Sequence, residues 1–173
     1  MTRAERGQMV LLAAAVAAVA LLAVAAAYVQ LGVHPDVTAR TDPGVTPDRV
    51  LAGLDRAVVN ASTGVSGAVA WDDRDRALAR FETAFAADVR AIRRAAANRT
   101  TLVRVERNGT AARAWADAAC PSGENRVFGD CVVRDGVVLQ ERDGDTHLLA
   151  VGLDVTVADP DGETRLTVVL RTV

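Results

Sequence analysis

The sequence predicts an α+β fold: an N-terminal transmembrane helix, two further helices, then an antiparallel sheet of about four strands with one short helix and a disulfide loop. Three observations predict it. Twenty consecutive apolar residues run from Val10 to Val29. Apolar residues then recur every third or fourth position as far as residue 97, the period of a helix face. From residue 100 they alternate, and Asp- and Gly-rich turns separate the alternating runs.

The first element follows from length and charge. No carboxylate, lysine or arginine occurs between Arg6 and Asp36. At ~1.5 Å per residue the apolar run reaches roughly 30 Å, the thickness of a bilayer's hydrocarbon core. Lipid offers the backbone no partners, so a helix is the expected state. Ten of the twenty residues are alanine, and small side chains let helices approach closely. Arg3 and Arg6 precede the run, whereas Asp36, Arg40, Asp42 and Asp48 follow it. The positive-inside rule therefore places the N-terminus in the cytoplasm and residues 34–173 outside. The expected division is a leader over 1–8, a transmembrane helix over 9–31, a linker over 32–47 and an extracytoplasmic α+β domain over 48–173.

The linker holds Gly, Pro, Asp and Thr without an apolar period. Thr46-Pro47-Asp48 then starts a helix, with a capping hydroxyl, a proline for the first turn and an acid at the positive dipole end. Val50, Leu54, Val58 and Ala61 form its apolar stripe, and Thr63 to Gly67 breaks it. A second helix over about 72–97 carries Leu78, Phe81, Phe85, Val89, Ile92 and Ala96 on one side. Its C-terminal half holds Arg90, Arg93, Arg94 and, beyond, Arg99, which read as a solvated face or as a site for an anionic partner. Residues 102–107 alternate as a strand ending at Asn108-Gly109. Thr110 caps a short helix from Ala111 to Ala119, stopped by Cys120-Pro121. Strands follow at 137–141, 146–158 and 164–172. Leu149, Val151, Leu153, Val155 and Val157 are expected on one face of the longest. Helices ahead of strands imply a helical layer on one face of the sheet.

Composition excludes several classes. The 173 residues include 34 alanines and 27 valines, with 20 arginines, no lysine and a formal charge of −2. Half the residues are apolar, too many for a disordered chain. A nucleic-acid partner is not expected without a basic balance. There is no phosphate loop, dinucleotide fingerprint or Gly-X-Ser-X-Gly elbow. No cofactor is expected, and no catalytic residue stands out.

The residues that carry chemistry are few. Cys120 and Cys131 enclose a ten-residue loop and should pair as a disulfide in an oxidising compartment. A zinc site would need further ligands, and the only histidines are His34 and His147. Asn60, Asn98 and Asn108 each begin Asn-X-Ser/Thr and are candidate N-glycosylation acceptors. His147 follows Glu141, Asp143 and Asp145, but Asp and Gly are ordinary hairpin-turn residues. At the N-terminus two processing events compete with an uncut anchor. Small residues at Ala25-Ala26-Ala27 suit a signal peptidase. Arg6-Gly7-Gln8 before the apolar run is similar to the processing site of archaeal type IV prepilins, with cleavage between Gly7 and Gln8. The fifth mature residue would then be Leu12 in place of the glutamate frequent in pilins.

Several stretches resemble a family of small haloarchaeal membrane proteins of unknown function. These are Arg6-Gly7-Gln8 with the Ala-rich run, Tyr28 to Gly32, Trp115-Ala116, Cys120-Pro121, Arg126 to Cys131 and Gly136 to Ala150. Members of that family look similar to pilin-like proteins of type IV pilus or secretion clusters. The resemblance implies a membrane-anchored, pilin-like surface protein and not an enzyme. Its expected partners are the lipid bilayer and other pilin-like subunits, met through the Ala-rich helix. The alternative is an anchored binding or structural module that never assembles.

Overall fold

The computed structural model describes residues 45–123 and 126–172. They lie in one compact unit. The leader, the predicted span over 9–31 and the Gly7–Gln8 cleavage site all lie outside the described residues.

Two long helices come first. Helix α1, Pro47–Thr63, starts at proline with Asp48 in its first turn. Thr46 stands at its N-cap but makes no side-chain capping bond. Val50, Leu54, Ala57, Val58 and Ala61 are buried along one side. A short 3-10 turn, Trp71–Asp73, leads into α2, Arg74–Ala97. Helix α2 buries Leu78, Phe81, Phe85, Val89 and Ala96. The two apolar stripes meet each other and the sheet in one core.

The sheet has five antiparallel strands: β1 Leu102–Arg107, β2 Phe128–Arg134, β3 Val137–Arg142, β4 Asp145–Asp159 and β5 Gly162–Arg171. Strand β4, 15 residues long, is the axis. One of its edges pairs with β5 over Ala150–Asp159. Its other edge is shared: β3 takes Asp145–Val151 and β1 takes Leu153–Ala158. Gly152 marks the join. Its N–H donates to the Gly136 carbonyl at 2.8 Å, and its carbonyl accepts from Asn108 N–H at 2.9 Å. Strand β2 lies outside β3. The hairpins β2–β3 and β3–β4 turn on Asp135-Gly136 and Asp143-Gly144, where both residues of each pair have positive φ. That geometry matches the right-handed twist of the flanking strands, and Asp-Gly accommodates it.

Helix α3, Gly109–Ala119, begins where β1 ends. Its Ala112 and Ala116 pack on Val138, Leu149 and Ala150, with Trp115, Val133 and Val169 around them. Val137, Leu139, Val151 and Leu153 belong instead to the core under α1 and α2. Side chains alternate across a strand, so α3 covers the opposite face. Its approach is close enough to require glycine. A Cβ on Gly152 would overlap the Asn108 carbonyl and stand 2.8 Å from Ala112 N.

Four expectations are corrected. The sheet has five strands where about four were expected, because Phe128–Arg134 forms β2 instead of belonging to a disulfide loop. The helices do not share one face, since α3 lies across the sheet from α1 and α2. Leu149 does not align with Val151: Val138 pairs with Ala150 but Leu139 with Leu148, and the extra residue turns Leu149 toward α3. Finally, no helix among the described residues is long and apolar enough to cross a membrane, so the predicted transmembrane helix is not part of the described fold.

Candidate functional site

The disulfide joins the end of α3 to β2. Cys120 and Cys131 are bonded, with Cα atoms 5.9 Å apart. Gln140, which sits opposite Cys131 on β3 and is fully buried, braces the bridge from the neighbouring strand. Its Nε2 donates to the Pro121 carbonyl at 2.7 Å and the Gly129 carbonyl at 2.9 Å, and lies 3.6 Å from Cys120 Sγ. Its Oε1 accepts from Arg142 Nε at 2.9 Å. Both ends of a buried amide are thus satisfied, as burial demands. The Arg142 guanidinium in turn lies 4.4 Å from the Phe128 ring centroid, and that of Arg126 lies 5.5 Å away. Burial first, and then repulsion from Arg126, lowers the Arg142 pKa from its ordinary value. Nothing in our reading of the sequence singled out Gln140. The available signal was a glutamine at the end of the apolar run Val137-Val138-Leu139.

The three sequons separate by environment. Asn60 is exposed on α1, and Asn98 is exposed as the C-cap of α2. Asn108 is different: it caps α3, a role the sequence had suggested for Thr110. Its Oδ1 accepts from Ala111 N at 2.8 Å. Its Nδ2 donates to both carboxylate oxygens of Asp154, at 2.9 and 3.0 Å. Asp154 also accepts from Thr167 Oγ1 at 2.6 Å. These bonds, Thr167's first and Asn108's second, hold the Asp154 carboxyl below its ordinary pKa against a small opposing effect of burial. The amide nitrogen that a glycan would use on Asn108 is therefore engaged in joining β1, α3 and β4.

His147 does not gather the carboxylates around it. It faces a groove of about 300 Å³ whose polar lining is Ser62, Thr63, Ser66, Arg142 and Thr172. No carboxylate lines that groove. Burial, then Arg142, lowers the His147 pKa, and Asp145 opposes them. Among the described residues no three His, Cys, Asp or Glu side chains are placed to hold a metal ion.

Another groove, of about 590 Å³, lies on the half of the sheet face that α3 leaves open. Leu102, Arg104 and Glu106 of β1, Asp154 and Thr156 of β4, and Glu163, Arg165 and Thr167 of β5 line it. Both signs of charge alternate there. Arg165 Nε and Glu163 Oε1 form an exposed pair at 2.6 Å, of the kind that contributes little to stability.

Fold and site together define a small α+β domain with helices on both faces of an antiparallel sheet and one disulfide at its rim. The chain belongs to a family of unknown function (DUF7261), which it matches over residues 3–171. No curated protein and no solved structure matches it.

Proposed function

We propose that the protein is a membrane-anchored, pilin-like surface protein whose folded domain faces out of the cytoplasm, a minor component of a type IV pilus-like or secretion assembly. The observation that carries this reading is the uncharged run Val10–Val29 in the same chain as a domain with a formed Cys120–Cys131 disulfide. Disulfides persist in oxidising compartments, and the run is long enough to hold the chain at a bilayer. The haloarchaeal source suggested by the resemblance accords with arginine used without lysine. The proposed role is binding and assembly, not catalysis. Exposed Asn60 and Asn98 are the proposed glycan acceptors.

Mass spectrometry of the mature N-terminus tests the reading. A chain that begins at Gln8 supports prepilin processing. One that begins at Met1 or Tyr28 overturns it. The alternative, an anchored module that does not assemble, is favoured by Leu12 at the fifth mature position. Crosslinking in membranes separates the two, since an assembling protein gives ladders and a module gives a monomer.

A further inference from the structure

We propose that the groove between α2 and β1 is a binding site for a small organic or inorganic dianion, a dicarboxylate or a phosphate. This goes beyond the anchoring role and does not depend on it. Arg90 and Arg93 line the groove from α2, and Arg107 lines it from β1. Glu82 is the only carboxylate in its lining. Three guanidiniums face one carboxylate in the lining, and Asp135, outside it, also attracts Arg107, so the groove keeps a positive excess that a dianion offsets. The volume, about 480 Å³, falls within the range of small-molecule sites and is too small for a folded partner.

The local structure fixes two of the three guanidiniums, those of Arg93 and Arg107. Glu82, Ala86, Arg90 and Arg93 recur at four, four and three along α2, so they share one helix face. Arg93 Nη2 donates to the Val105 carbonyl at 3.1 Å, which ties its head group to β1 two residues from Arg107. Arg107 lies over two stacked rings, its Cζ 5.3 Å from the Phe81 centroid and 5.0 Å from that of Phe85. The rings attract the cation but accept no strong hydrogen bond. Arg107 Nη1 is buried with no hydrogen-bond partner. Burial depresses the Arg107 pKa even against the attraction of Glu82 and Asp135. A guanidinium nitrogen buried without a hydrogen-bond partner is costly. An anion seated among the three guanidiniums favours the charged form through space and offsets part of that cost. Guanidinium forks also bind carboxylate and phosphate oxygens in pairs, which adds orientation to attraction.

The test is titration calorimetry on the full-length chain in detergent, with succinate and inorganic phosphate as probes. Arg90→Gln/Arg93→Gln is the site variant. Arg76→Gln/Arg80→Gln, on the exposed N-terminal half of α2, removes the same charge outside the groove. The proposal expects saturable binding of at least one probe, weakened about tenfold or more in the site variant and unchanged in the control. Whichever probe binds more tightly identifies the head group. The absence of binding by the wild-type chain overturns the proposal, as does an equal loss in both variants, which marks attraction to net charge alone. Both pairs are exposed side chains, and circular dichroism of each variant confirms that the fold is intact before titration.

Discussion

At Gln140 a single buried amide ties a loop carbonyl, a β2 carbonyl, a disulfide and an arginine to one point on β3. Gln140→Leu keeps the volume and removes the polar ends, so the Pro121 and Gly129 carbonyls lose their donor. We expect a fall in unfolding free energy on the order of 2–3 kcal/mol, read from urea denaturation midpoints. Two titrating residues set acid sensitivity in separate windows. Asp154 has a folded pKa below its unfolded value, so its contribution is fully present above that value and is lost as pH falls through the folded one. The wild-type chain should therefore lose stability below about pH 4, and Asp154→Asn should lose less over the same interval. His147 is also shifted down, from 6.5. For a base this means that the unfolded chain takes up the proton first. Stability falls as pH drops below about 6.5, and His147→Gln should flatten that part of a thermal melting profile.

Among the elements, α3 is the most exacting. Its cap, its crossing point and its exit are each fixed by one residue: Asn108, Gly152 and Cys120. Asn108→Ala should cost about 1 kcal/mol through the lost cap, with a further penalty at Asp154. Gly152→Ala should cost about 1–3 kcal/mol, because the new methyl meets backbone that cannot yield without parting α3 from β4. Replacing Cys120 and Cys131 with serine should remove roughly 3 kcal/mol, the closure entropy of a loop this short. Chemical denaturation of each variant checks the order. The same elements show where sequence patterns inform and where they stop. Helices α1 and α2 and strands β1, β4 and β5 were legible because each carries its own apolar period. Strand β2 was hidden by Gly129, Asp130 and Cys131, which interrupt its alternation, although Asp135-Gly136 was a hairpin signal at its end. The side that Leu149 faces depends on an extra residue in the β3–β4 pairing, a property of two strands that neither displays alone. The Arg90 and Arg93 cluster was visible on α2, but its third member, Arg107, joins it only through the packing of β1.

For the whole molecule the proposed anchor makes a direct prediction. The full chain should stay with the membrane pellet through high-salt and alkaline washes, and deletion of residues 10–29 should release it; release of the full chain would contradict anchoring. The domain itself has a temporal constraint built into β4. Leu102 at the start of β1 pairs with Ala158, 56 positions later by subtraction, and β5 lies beyond that again. At about 5–20 residues per second, β1 leaves the ribosome several seconds before the strand it needs exists. Val103 and Val105 stay without their cross-strand partners Val157 and Val155 throughout that interval. The sheet thus cannot close while its C-terminal third is still being made. A polypeptide that must be threaded through a narrow translocation channel benefits from that delay, because premature closure would jam it. For the export proposed above, the long shared strand works as a timer that leaves β1 unpaired until β4 has been made.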